Sequence, residues 1–118
     1  MRIGIIRTRW NNEDVSNLVS GVREGLAKCK VNEKSIFETS VPGSFELPLA
    51  ARYLALSGTV DAIVCVGVLI KGDTMHFEFI ADAVAKGLII VASVCPIFCT
   101  ETPSAAARSL FTLTTSWG

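Results

Sequence analysis

Apolar residues in this chain keep two different rhythms, and the alternation between them predicts the fold class. Residues 2 to 6 hold Ile3, Ile5 and Ile6 in one short run, the pattern of a strand buried on both faces. Val15, Leu18, Val19, Val22, Leu26 and Cys29 then recur at helical spacing. Asn12 stands ahead of them as an N-cap, Glu13 and Asp14 fill the first turn, and Lys28 and Lys30 sit near the end, an order that suits the helix dipole. Residues 34 to 41 read as a second strand, broken at Val41-Pro42-Gly43. A second helix is expected from Glu46 to Ser57, with Pro48 accommodated in its first turn and Gly58 as its stop. Ala62-Ile63-Val64-Cys65-Val66 gives a third, wholly apolar strand within 61 to 67. A third helix is expected from near Thr74, with Phe77, Ile80, Ala81, Val84 and Leu88 on one face. Ile89 to Phe98 reads as a fourth strand. Beyond Thr100 the rhythm fades, although Ala105 to Phe111 fits a short helix.

Strands alternating with helices imply parallel pairing through right-handed crossovers. With 118 residues, the chain is read as a single domain. Half of its residues are hydrophobic and its mean hydropathy is +0.47, which excludes a disordered chain. Lys and Arg total 11, as do Asp and Glu, so no net charge draws the protein to nucleic acid or anionic lipid. A small, uncharged, apolar domain is expected to form a homo-oligomer. No apolar run is long enough for a membrane span, and the start lacks the apolar core of a signal peptide, so a cytoplasmic protein is expected. Cys29 and Cys65 lie in apolar periodic segments and read as core thiols; Cys95 and Cys99 lack the companions a zinc site needs. No metal is expected.

In open α/β sheets ligands bind outside the carboxyl ends of the strands, so the chemistry is sought in three loops. The first carries Arg9-Trp10-Asn11, the second Pro42-Gly43-Ser44-Phe45-Glu46, and the third runs from Gly67 to His76. Trp10 offers a flat surface on which an aromatic ligand could stack, or it packs against a neighbouring loop or subunit. Asn11 can present an amide to a polar ring or cap the following helix. Ser44 and Glu46 could hydrogen-bond a polyol, or they cap the second helix locally. Phe45 reads as packing. Gly72 allows close backbone approach, and Asp73 or Thr74 opens a helix whose free N–H groups attract a phosphate, with Lys71 adding charge; a plain turn with a capping residue is the other reading. His76 is the one histidine. Its ordinary pKa of about 6.5 suits it to proton transfer near neutrality, although a lone histidine on a helix surface is the commoner case.

These same segments carry a family resemblance. Arg9-Trp10-Asn11, the run from Val41 to Pro48 and the run from Gly67 to Glu78 resemble the 6,7-dimethyl-8-ribityllumazine synthase family, most of all its fungal members. The likeness covers residues 2 to about 88; residues 89–118 diverge. It implies a flavodoxin-like three-layer αβα sandwich with a four-stranded parallel sheet, assembled into pentamers, here without the family's C-terminal helix. It implies a transferase of riboflavin biosynthesis. That enzyme condenses 5-amino-6-(D-ribitylamino)uracil with 3,4-dihydroxy-2-butanone 4-phosphate and uses no cofactor. Under the resemblance, Trp10 and Asn11 meet the pyrimidinedione, and Ser44, Phe45 and Glu46 hold the ribityl chain. The backbone of Val68, Leu69 and Ile70 lines the ring pocket, Gly72, Asp73 and Thr74 receive the phosphate, and His76 moves protons. Phe98 matches an aromatic that completes a neighbouring subunit's pocket, and Arg108 matches a phosphate-binding arginine if the tail has lost residues. The other reading is a truncated, non-catalytic relative that binds a flavin-like ligand or only assembles.

Overall fold

The computed structural model describes residues 1–10, 12–68, 76–91, 97–101 and 111–114. Its elements follow in the order β1 (Ile3–Thr8), α1 (Asn12–Lys28), β2 (Ile36–Val41), α2 (Leu47–Ser57), β3 (Ala62–Gly67), α3 (His76–Val91), β4 (Ile97–Glu101) and β5 (Phe111–Thr114). Short 3₁₀ turns, Glu33–Ser35 and Ser44–Glu46, lead into β2 and α2. The sheet order is β2-β1-β3-β4-β5. β1 pairs in parallel with β2 and with β3, and β3 pairs in parallel with β4. This is the doubly wound order of flavodoxin-like sheets, with its switch point between β1 and β3.

The sheet has a fifth strand beyond the four the pattern predicts. β5 runs antiparallel to β4, with Phe98 opposite Thr114 and Glu101 opposite Phe111. Its four residues alternate apolar and hydroxyl side chains, a period-two signal too short to stand out from the sequence around it. Phe111, expected at the end of a short helix, opens this strand; residues 105–110 of that expectation lie outside the described residues.

The strand expected from Ile89 to Phe98 is also displaced. α3 continues through Leu88, Ile89, Ile90 and Val91, and β4 begins only at Ile97. Val84, Leu88 and Val91 are buried at helical spacing, whereas Ile89 and Ile90 are exposed. Packing on one face therefore outweighs the β-branched composition of this run.

Side-chain alternation along the strands divides the core into two layers. On one face, Val15 and Val19 of α1 pack over Ile3, Ile5, Val64, Val66 and Val68. On the other, Leu47 and Ala51 of α2 and Val84, Leu88 and Val91 of α3 pack over Ile6, Ile63 and Cys65. Every residue of β3 is buried, as befits a strand covered by helices on both faces. Each large aliphatic side chain so buried contributes about 1.5–3 kcal/mol.

Helix ends and one close contact fix where the loops emerge. Lys30 holds a left-handed backbone, φ 63°, after α1. Its N–H donates to Ala27 O at 3.0 Å and the Val31 N–H donates to Leu26 O at 3.0 Å, the paired bonds of a Schellman motif. Gly58 takes the equivalent left-handed place after α2, φ 68°. Cys65 is buried, but Cys29 is exposed beyond the last turn of α1 and is not a core thiol. Asn12 is the first helical residue of α1 rather than a residue ahead of it, and its Oδ1 accepts from Arg7 Nη2 at 3.0 Å. Gly87 of α3 faces Pro48 in the first turn of α2 so closely that a Cβ there would lie 2.7 Å from Pro48 Cβ.

Candidate active site

Register brings the strand ends together. Thr8 lies beside Val41, Arg7 beside Val66, and Gly67 beside Glu101, so β1, β2, β3 and β4 all finish on one edge. The loops that follow β1 and β2 are stitched to each other. The Arg9 N–H donates to Val41 O at 2.8 Å and the Trp10 N–H donates to Pro42 O at 3.2 Å, continuing the ladder past the strands. Thr8, fully buried, donates from Oγ1 to Trp10 O at 3.3 Å. The backbone around Trp10 is thus held while the residue as a whole remains 67% exposed. Trp10 is therefore not buried against the described residues of its own subunit. Asn11 lies outside the described residues.

The second loop sorts its three residues. The Gly43 N–H donates to Glu46 Oε2 at 2.9 Å, so this carboxylate caps the turn, the local role set against polyol binding. The backbone closes the same turn, Glu46 N–H to Gly43 O at 3.2 Å. Ser44 does not cap. The residue is only 5% exposed, and its Oγ is buried with no hydrogen-bond partner among the described residues. A buried hydroxyl left unpaired costs about 1–3 kcal/mol, a cost that a ligand hydroxyl placed against it would remove. Phe45 is exposed rather than packed.

The third loop is described at its two ends. Val68 is buried in the layer beneath α1, so its side chain is core. Leu69, Ile70, Gly72, Asp73 and Thr74, with the expected phosphate cradle and helix start, lie outside the described residues. His76 is the first described residue of α3, and α3 packs against the Ser44–Glu46 turn. Phe98 stands opposite Val64 in the body of β4, below the edge marked by Gly67 and Glu101. Arg108 lies outside the described residues. Among the described residues no three side chains gather as metal ligands.

One residue beneath this edge was not anticipated from the pattern. Arg7 interrupts the apolar run of β1, and its side chain is 18% exposed. Its Nη2 donates to Asn12 Oδ1 at 3.0 Å and to Ser16 Oγ at 2.7 Å, both on α1. Its Nη1 lies 3.6 Å from Glu38 Oε2 on β2. Glu38 accepts in turn from Arg23 of α1 at 2.8 Å, and Arg23 also pairs with Glu33. An arginine inside a buried strand is the sequence signal that could have found this network.

The sequence model of the family described as 6,7-dimethyl-8-ribityllumazine synthase matches residues 1–102, past Leu88 and through β4. A 6,7-dimethyl-8-ribityllumazine synthase of Flavobacterium psychrophilum is 37% identical over 112 residues, 92% of this chain and 59% of the relative. One of Cytophaga hutchinsonii is 44% identical over 85 residues, 72% of this chain and 54% of the relative. One of Pyricularia oryzae is 35% identical over 127 residues, 77% of this chain and 64% of the relative. The chain therefore spans between half and two thirds of the length of these relatives. A family match over most of the chain, with these identities and an α/β sheet of this order, shows that the chain belongs to the 6,7-dimethyl-8-ribityllumazine synthase family.

Proposed function

We propose that the carboxyl edge of the sheet condenses 5-amino-6-(D-ribitylamino)uracil with 3,4-dihydroxy-2-butanone 4-phosphate, forming the lumazine and releasing phosphate and water. The observation that carries this reading is the stitched pair of loops. Their hydrogen bonds join the loop of the exposed Trp10 to the loop that leads to Ser44, a buried hydroxyl with no partner among the described residues, at the carboxyl edge of a chain of this family. Trp10 stacks on the pyrimidinedione, with Asn11 beside it. Ser44 Oγ meets a ribityl hydroxyl, while Phe45 and Glu46 shape the turn around it. The backbone of Val68, Leu69 and Ile70 walls the ring. Gly72, Asp73 and Thr74 supply the N–H groups for the butanone phosphate. Phe98 and Arg108 serve a neighbouring pocket and the phosphate.

The chemistry asks little of the protein. An amine of the pyrimidine attacks the ketone, water leaves as the imine forms, phosphate is eliminated, and the second amine closes the ring with loss of water. His76 takes and returns the protons of these steps. Holding both reactants in contact lowers the barrier by up to about 7–11 kcal/mol, and one positioned proton-transfer group adds about 10²–10⁴-fold.

Assembly belongs to the same proposal. Leu49, Tyr53 and Leu56 form one exposed stripe on α2, and Phe79 and Ile90 are exposed on α3. We read these faces as contacts within a pentamer, where a neighbour closes the site. Among the described residues no helix is long and apolar enough to cross a membrane, and a cytoplasmic setting suits such small polar substrates.

The test is lumazine absorbance on mixing both substrates with the chain, against the uncatalysed condensation. Turnover above background is expected. His76→Ala is expected to lower the rate about 10²-fold while pyrimidine affinity stays within about twofold. Equal turnover in the variant removes His76 from the chemistry. Binding without turnover by the unmodified chain refutes the proposal and favours the non-catalytic reading.

A further inference from the structure

We infer that Arg7 is a positioning residue for the pyrimidine site: it sets the place of Trp10 by locking the turn between β1 and α1 from below. This rests on the substrate reading above. The geometry is that of a three-way bridge. Arg7 leaves β1 on the side of α1, three residues before Trp10. One nitrogen binds Asn12 Oδ1 at 3.0 Å and Ser16 Oγ at 2.7 Å, which fixes the first turns of α1. The other faces Glu38 of β2 at 3.6 Å. Trp10 lies between Arg7 and Asn12 in sequence, and its own N–H and that of Arg9 bind the end of β2 and its loop. The turn is therefore tied at its strand end, at its helix end and through the Arg9 and Trp10 amides, while Trp10 as a residue stays 67% exposed.

The bridge is specific to a guanidinium. A planar fork presents donors in fixed directions to two acceptors on one side and a carboxylate on the other. A lysine offers one nitrogen, which cannot reach all three. Glu38 is itself held by Arg23 at 2.8 Å, so the carboxylate facing Arg7 does not swing freely. The arrangement consists of polar contacts beneath the turn. Its effect is on where the stacking ring sits, and hence on substrate affinity rather than on the proton-transfer step.

Three readouts test this. The first needs no substrate: hydrogen exchange of the Arg9 and Trp10 amides in the free protein. In Arg7→Met these two amides are expected to exchange about tenfold faster, while the amides of Ile63 to Val66 in β3 keep their rates. The second is titration with 5-amino-6-(D-ribitylamino)uracil. Arg7→Met is expected to weaken binding about five- to tenfold, with kcat at saturation within about twofold. The third is a double-mutant cycle with Trp10→Ala. If Arg7 acts through Trp10, then adding Arg7→Met to Trp10→Ala changes the dissociation constant less than about twofold. Additive losses overturn the inference, as does faster exchange spread evenly over β3. Should Arg7→Met not fold, Ser16→Ala removes one acceptor from the helix side and is expected to shift the same readouts, in the same pattern, by about two- to threefold. If the unmodified chain binds no pyrimidine, the proposed function fails, and the exchange experiment still decides whether Arg7 holds the turn.

Discussion

Gly87→Ala is the most demanding test of how the two helices that flank the site meet. In an isolated helix this substitution gains about 1 kcal/mol, because alanine loses less backbone freedom on folding. Here the new methyl would lie 2.7 Å from Pro48 Cβ and 2.9 Å from its Cγ. Carbon atoms at rest stand about 3.5–4.0 Å apart, so α3 and α2 would have to part by about 1 Å. Pro48 cannot rotate aside, since its ring is fused to the backbone of the first turn of α2. The cost is that of an overpacked contact, about 1–3 kcal/mol, so the net effect is a loss of about 1 kcal/mol. Gly21→Ala provides the control. It lies in α1, and nothing stands within 4 Å of the added Cβ, so a gain of about 0.5–1 kcal/mol is expected. The same chemical change should therefore carry opposite signs in two helices, about 2 kcal/mol apart, which is roughly 8 °C in Tm for a chain of this size. Urea unfolding at one fixed protomer concentration measures both, because assembly makes apparent stability depend on concentration. If Gly87→Ala proves as stable as Gly21→Ala, the close contact between α2 and α3 is not rigid, and the turn carrying Ser44 is not braced in this way.

Two further outcomes follow from the backbone and from charge. Lys30→Gly is expected to raise stability by about 1 kcal/mol in the same urea assay, because glycine takes the left-handed φ of 63° without steric cost. Asp61 accepts from the Arg2 guanidinium at 3.2 Å and from the Arg2 N–H at 2.7 Å, and these bonds hold its carboxyl below its ordinary value of 3.8. Its contribution to stability is present in full above about pH 3.8 and is lost as pH falls through the lower folded value. Carbon-detected NMR titration reads this directly, and a raised Asp61 pKa would contradict the assignment.

Legibility in the sequence followed the strength of the periodic signal. β1, α1, β2, α2 and β3 could be read because each has a clean rhythm bounded by Gly, Pro or Asn. The run Leu88-Ile89-Ile90-Val91 could not, since four consecutive aliphatic residues fit a buried strand as well as a helix end. Only the packing of Leu88 and Val91 beside Val84 decides between them. β5 was hidden because an edge strand of four residues has almost no pattern to show. At the site, positions were easier to read than roles. Trp10, Ser44 and Glu46 fell on the expected edge, but that Glu46 caps its own turn while Ser44 finds no partner among the described residues depends on side-chain directions that spacing does not carry. Arg7 was overlooked because the run around it invited a hydrophobic reading.

The central place of β1 imposes a timetable on synthesis. A strand with neighbours on both sides cannot find them until they exist, and β1 must wait for β2 and then for the end of β3 at Gly67. About 60 residues separate its own completion from that point, which at roughly 5–20 residues per second is an interval of about 3–12 s. During it Ile3, Ile5 and Ile6 leave the ribosome as an unpaired apolar segment with free strand edges, the kind of surface on which nascent chains adhere to one another. The layout that gathers the three loops at one edge therefore leaves β1 unpaired on both sides until β2 and β3 have been made.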